Sequence, residues 1–153
     1  APGSSPTPPD LHWALVLVLA MVTGIFGLIW FFIQAGYVKK IDPASRARKF
    51  LIFALVAILA QIIATFAIAA AAAMGSNTGA AVGGLLTFVL AIAGMVLMLS
   101  AVFGMRRSLI DYFNTVEPIG LRLSGVMTFF FNILYFQYHL SRIAEWKRTG
   151  TLR

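Results

Sequence analysis

The sequence predicts an all-α integral membrane protein, with three transmembrane helices and a C-terminal interfacial or re-entrant helix; four transmembrane helices are the alternative. Three observations lead there. Residues 50–105 contain no Asp, Glu, Lys, Arg or His, whereas about 20 apolar residues suffice for one helical crossing of a bilayer. Hydrophobic residues make up 60% of the chain and charged ones 11%, too few polar side chains to cover a soluble surface. The 12 Lys and Arg residues flank the apolar runs instead of interrupting them.

Residues 1–10 hold Pro2, Pro6, Pro8 and Pro9 and no apolar run. Such a stretch reads as an extended, polyproline-like tail or linker, with one helical membrane domain over residues 11–153. No basic n-region precedes Leu11, so the run that follows reads as a mature span, not a signal peptide.

The first predicted span covers about 11–37, bracketed by His12, Trp13, Trp30 and Tyr37, whose amphipathic rings suit the headgroup level. The loop after it carries Lys39, Lys40, Arg46, Arg48 and Lys49 against a single acid, Asp42. A second span fills about 50–74 and ends in alanines. Gly75, Ser76, Asn77, Thr78 and Gly79 then supply turn chemistry, and a third span covers about 80–105. Pro118 and Gly120 break any helix that leaves it. The segment at about 121–143 is apolar but contains Asn132, Gln137 and His139, which weakens a fourth crossing.

Charge asymmetry arbitrates between three spans and four. With three spans and the N-terminus outside, every cation falls on the cytoplasmic side. With four, Arg142, Lys147, Arg148 and Arg153 are stranded outside. The expected arrangement is therefore a multi-pass protein of the bacterial inner membrane, with a periplasmic N-terminus and with cytoplasmic basic loops and C-terminus.

The net charge of +7 would suggest nucleic acid in a soluble chain. Beside apolar spans it points to anionic lipid headgroups and to no nucleic-acid partner. The headgroup contacts expected are Lys39, Lys40, Arg46, Arg48, Lys49, Arg106 and Arg107. Cysteine is absent, which removes disulfides, thiolate metal sites and cysteine nucleophiles.

No predicted span core holds an ionisable residue, the usual mark of proton relays and ion-coupled transport. Nor is there a zinc-protease helix, a nucleophile elbow or a phosphate-binding glycine loop. The chain reads as a non-enzyme, with no catalytic residue, metal site or cofactor specified. His139 is a weak candidate axial ligand for a haem or chlorin, and His12 a weaker one.

Small residues form a more coherent set: Ala20, Gly24 and Gly27 in the first span, Ala60 and Ala64 in the second, Gly79, Gly83 and Gly94 in the third. At these spacings they lie on one helical face, where backbones approach closely in lipid. They serve either self-association and docking to other membrane subunits, or packing of the chain's own helices. Gln61, Thr65 and Thr87 are the polar residues expected to bond between helices, or to line a path for a small neutral or lipidic solute. Gln34, near the end of the first span, is expected to be hydrated.

The strings LHWALVLVLAMVTGIFGLIWFFIQAGYVKKID and YFNTVEPIGLRLSGVMTFFFNILYFQYHLSRI resemble those of small multi-span bacterial membrane proteins known only as a family of unknown function. The resemblance implies a helical membrane fold, and in some members a small soluble module ahead of a proline-rich linker. It implies no substrate, cofactor or site residue. The expected role is a non-catalytic structural or accessory subunit of an inner-membrane assembly or homo-oligomer. A channel or transporter is the alternative, and pigment or haem binding a third reading.

Overall fold

The computed structural model describes residues 6–150. Five α-helices follow one another, α1 (Trp13–Thr23), α2 (Ile25–Ile41), α3 (Ala47–Ala73), α4 (Asn77–Thr115) and α5 (Gly125–Thr149), with no strand among the described residues. α3 and α4 are each long and apolar enough to cross a membrane, and α1 is a shorter apolar helix. The chain divides into two compact units, Lys49–Ala101 and the combination of Ala1–Arg48 with Val102–Arg153.

The first of these is an antiparallel pair formed by most of α3 and the first part of α4. Its turn is built locally. Gly75 takes φ +77°, its N–H donates to Ala72 O at 3.0 Å, and the Ser76 N–H donates to Ala71 O at 3.0 Å. This pair of bonds closes a helix with glycine in the left-handed region, where an added Cβ would be strained. Ser76 Oγ then accepts from the Gly79 N–H at 3.2 Å and caps α4. The turn is thus shorter than the expected 75–79, and Gly79 already belongs to the first turn of α4.

Half-buried residues recur at Ala57, Gln61, Ala64, Ile68 and Ala71 of α3 and at Gly83, Thr87 and Leu90 of α4, with Gly94 buried. This is the one-face spacing of a helix. A Cβ added to Gly83 would overlap Ile68 Cγ1, and one added to Gly94 would stand 3.7 Å from Ala57 Cβ. The small residues let these two helices approach.

The second unit corrects the expectation for residues 11–37. They form no single crossing helix, because the chain breaks at Gly24, which has φ +63°, and doubles back. Leu11 O and Gln34 Nε2 both bond to the side chain of Gln137, at 2.6 and 3.2 Å. On one straight helix these positions would stand about 34 Å apart. Across the fold, a Cβ on Gly27 would lie 3.3 Å from Ala20 Cβ. α1 and α2 are therefore a hairpin of 11 and 17 residues.

α5 bends in the same manner. Asn132 has φ +16° and ψ −92° inside it, and the Ser124 N–H donates to Tyr135 Oη at 2.9 Å across 11 positions. A straight helix would separate these positions by about 16 Å. The segment at 121–143 is thus an extended stretch, a short ascending limb at 125–131 and a descending limb from 133. It is not one straight helix. Each hairpin opens with a capped helix, His12 Nδ1 accepting from the Ala14 N–H at 3.3 Å and Ser124 Oγ from the Met127 N–H at 3.4 Å. The buried side chains of this unit include Val16, Phe31, Val38, Met105, Leu109, Phe113, Phe136, Leu140 and Ile143.

Residues 6–11 do not stand free as a linker would. Pro9 O and Leu11 O accept from Gln137, at 3.2 and 2.6 Å, and Pro6 O accepts from Lys147 Nζ at 3.3 Å. Asp10 pairs with Arg148 at 2.7 Å. The N-terminal segment thus meets the end of α5. Residues 1–5 of the proline-rich tail lie outside the described residues.

Candidate functional site

The polar centre of the second unit is Gln137, fully buried with Gln34 and Thr128. Its Oε1 accepts from Trp30 Nε1 at 2.8 Å and from Gln34 Nε2 at 3.2 Å. Its Nε2 donates to Leu11 O, to Pro9 O and to Ser141 Oγ, the last at 3.1 Å. Gln34 Nε2 also reaches Ile133 O at 3.1 Å, the first carbonyl after the break at Asn132. One amide thereby holds α2, the N-terminal segment ahead of α1 and the descending limb of α5. Gln34 is accordingly buried, not hydrated as its place in the sequence suggested, because the chain folds back over it.

A buried ion pair lies in the same unit. Lys147 Nζ stands 3.3 Å from Glu117 Oε2, with side chains 3% and 6% exposed. The Tyr37 hydroxyl and both Glu117 carboxylate oxygens are buried without a hydrogen-bond partner, so the carboxylate is balanced by charge more than by aligned bonds.

The expected headgroup residues divide. Lys40, Arg46, Arg48, Lys49 and Arg107 are exposed, with Arg107 3.7 Å from Asp111 one turn on. Lys39 and Arg106 are turned to structural work. Lys39 Nζ donates to Pro43 O and to Ser45 O, and Arg106 donates through Nε and Nη2 to Leu123 O at 2.9 and 2.6 Å. Each closes a loop whose carbonyls no helix satisfies.

Of the small residues, Ala20 and Gly27 meet across the first hairpin, and Gly79, Gly83 and Gly94 face α3. Gly24 makes no helix contact and serves as the break, with nothing within 4 Å of an added Cβ. Ala60 and Ala64 are half-buried. Gln61 is half-buried on the α3 face that meets α4, whereas Thr65 is exposed and donates to Gln61 O at 2.9 Å. The Thr87 hydroxyl donates to Gly84 O at 2.9 Å. Both hydroxyls are thus spent on their own helices.

His139 is half-buried between Tyr135 and Tyr138, with ring centroids 4.7 and 5.3 Å away. Burial, and then the neighbouring Arg142 guanidinium, lower its pKa from 6.5 to about 4, so the imidazole is neutral at neutral pH. Among the described residues no group of three or more His, Cys, Asp or Glu is placed to hold a metal ion. His139 instead lines a cavity of about 260 Å³ together with Ile119, Gly120, Leu121, Arg122, Arg142 and Ile143.

No family model, curated protein or solved structure matches the chain.

One signal for the hub was legible in the sequence, the presence of Asn132 and Gln137 in an otherwise apolar run. None was legible for the pairing of Glu117 with Lys147 or for the convergence of Arg122, His139 and Arg142, which depend on contacts made only after folding.

Proposed function

We propose that this chain is a multi-pass integral membrane protein acting as a non-catalytic structural or accessory subunit. In this reading α3 and α4 cross the bilayer, and the two broken hairpins enter from one side and return to it. The hairpins are too short to cross, since neither α1 nor α2 reaches the ~20 apolar residues of a span.

The observation that carries the reading is the burial of the two long helices. In their most apolar stretches only 17% and 11% of residues are buried, whereas the core helix of a soluble domain would be mostly covered. Phe53, Ile63, Phe66, Leu85, Phe88 and Met95 are among the apolar side chains left exposed. Exposure on this scale would drive aggregation in water and is tolerated in hydrocarbon. Because Gly83 and Gly94 already pack against α3, the faces left for lipid, for another subunit or for a second copy are those lined by larger side chains.

The positive-inside bias puts the basic loop after α2 on the cytoplasmic side, in keeping with a bacterial inner membrane. The Asp10–Arg148 contact then brings the N-terminal segment to that side as well. A soluble module ahead of the proline-rich segment, as the family resemblance implies, would also be cytoplasmic.

Native mass spectrometry of gently solubilised membranes tests the role. The expected result is a complex with a defined stoichiometry, either homo-oligomeric or with a co-purifying membrane subunit. A clean monomer without partners contradicts it. Monodisperse behaviour in detergent-free buffer contradicts the membrane reading itself.

A further inference from the structure

Gln61 stands in the uncharged part of α3, 11 residues after Phe50 and 12 before Ala73. At ~1.5 Å per residue it is about 17 Å from either end. That is near the middle of a ~30 Å hydrocarbon core and too deep for its side chain to reach the headgroups. Among the described residues no hydrogen bond uses its amide; the Thr65 hydroxyl donates to its backbone carbonyl instead. We propose that two copies of the chain pair through α3, each Gln61 amide bonding to the same residue of the other copy.

An amide left unpaired in hydrocarbon is costly, because no water is there to bond it. The polar neighbours do not relieve it. The hydroxyls of Thr65 and Thr87 donate to carbonyls of their own helices, Gln61 O and Gly84 O. A side-chain bond to another helix is the outcome that lipid favours.

The position of Gln61 on α3 leaves the amide within reach of a second helix. With 3.6 residues per turn, the half-buried Ala57, Ala64 and Ile68 lie to one side of it, toward α4. Ile58, Ile62 and Thr65 lie to the other side and are exposed. Their three- and four-residue spacing places them on one face. Gln61, half-buried, thus sits at the edge between the α4 contact and an open seam.

A second copy suits this seam for a chemical reason. A primary amide carries both donors and an acceptor, so two of them satisfy each other by reciprocal bonds. A two-fold axis brings the same group to the same depth from both sides, with Ile58 and Ile62 packing around it. The pairing rests on the reading of α3 as a membrane span in a subunit that associates.

The test uses the full chain in its own membranes, with single cysteines introduced into a sequence that has none. Ile58 and Ile63 are both exposed, 41% and 70%, but Ile63 faces away from the seam. Under mild oxidation Ile58→Cys should give a disulfide-linked dimer and Ile63→Cys should not. Adding Gln61→Leu should cut the Ile58→Cys crosslinking about tenfold. Leucine suits lipid better than glutamine, so this substitution spares the span. Equal crosslinking at the two positions, or crosslinking at Ile58→Cys that ignores Gln61→Leu, overturns the pairing. Native mass spectrometry of the parent and Gln61→Leu chains separates this failure from that of the wider reading. A dimer that becomes monomer in Gln61→Leu supports the pairing. A homo-oligomer that persists in Gln61→Leu, or a different subunit lost from it, overturns the pairing and leaves the accessory-subunit reading in place. A parent chain that is monomeric without partners overturns both.

Discussion

Asp10 Oδ2 and Arg148 Nη2 lie 2.7 Å apart, joining a residue ahead of the first apolar helix to one near the end of the last. As an exposed pair it adds little energy, about 0–1 kcal/mol. Its value is topological. Between the two residues the first apolar run reverses at Gly24 and α5 reverses at Asn132.

The reversal of the first hairpin is held by Gln137. Replacing it with Leu strands the part-buried Trp30 Nε1, leaves Gln34 Nε2 with Ile133 O alone and Leu11 O with Ser141 Oγ alone, and an unmet group costs on the order of 1–3 kcal/mol. Gln137→Leu should therefore lose about 2–3 kcal/mol of stability, read as a lower unfolding midpoint in detergent micelles. The indole emission of Trp30 should shift as its partner is lost. An unchanged midpoint would mean that the hub does not hold the hairpin.

The glycines divide by role, and substitution should separate them. At Gly24 any side chain meets open space but a positive φ, so Gly24→Ala should cost only the backbone penalty of about 1–2 kcal/mol. At Gly83 the φ is ordinary helical and the space is filled by Ile68. Gly83→Val should push α3 and α4 apart and cost about 1–3 kcal/mol. A disulfide between cysteines at positions 57 and 94 should form readily in the parent and slowly in Gly83→Val. Equal crosslinking rates would refute the close approach.

The Glu117–Lys147 pair predicts an asymmetry. Glu117→Gln leaves a buried ammonium without its counter-charge, at a cost of about 3–5 kcal/mol. Combining it with Lys147→Met removes that charge and should recover most of the loss. Thermal melts of the two variants decide the matter, and a double variant no better than Glu117→Gln would count against a buried pair.

His139 makes the second unit acid-sensitive. The groups facing it are Arg122, Arg142, Tyr135 and Tyr138. Its folded pKa, about 4, lies below the ordinary 6.5, so the unfolded chain binds the extra proton between these values. Stability is full above 6.5 and declines as pH falls toward 4. His139→Gln should flatten the decline between pH 6.5 and 5, measured by melting in matched buffers. A slope that persists unchanged would place the sensitivity elsewhere.

The parts of this fold visible in the sequence are those fixed by local chemistry. The uncharged run at 50–105 announces α3 and α4, Gly75 and Ser76 announce their turn, and Pro118 and Gly120 mark where α4 must stop. The two hairpins were not visible for a physical reason. Residues 11–37 have the length and apolarity of a span, and glycines such as Gly24, Gly27 and Gly36 inside such a run are ordinary in membrane helices. The long-range bonds from Gln137 to Leu11 and Gln34, and the close approach of Gly27 to Ala20, hold the reversal at Gly24. The small-residue spacings were legible as packing, but which surface they pack against depended on the tertiary partner, as Gly83 with Ile68 illustrates. Lys39 and Arg106 looked like headgroup contacts because sequence cannot show which loop carbonyl lies within reach.

Single-cysteine labelling at Thr7, Ser76 and Thr149 tests the hairpin topology most directly, since the chain contains no native cysteine. In oriented membrane vesicles a membrane-impermeant maleimide should reach Thr7 and Thr149 from one side and Ser76 only from the other. Labelling of Thr7 from the same side as Ser76 would mean that the first apolar run crosses the bilayer after all.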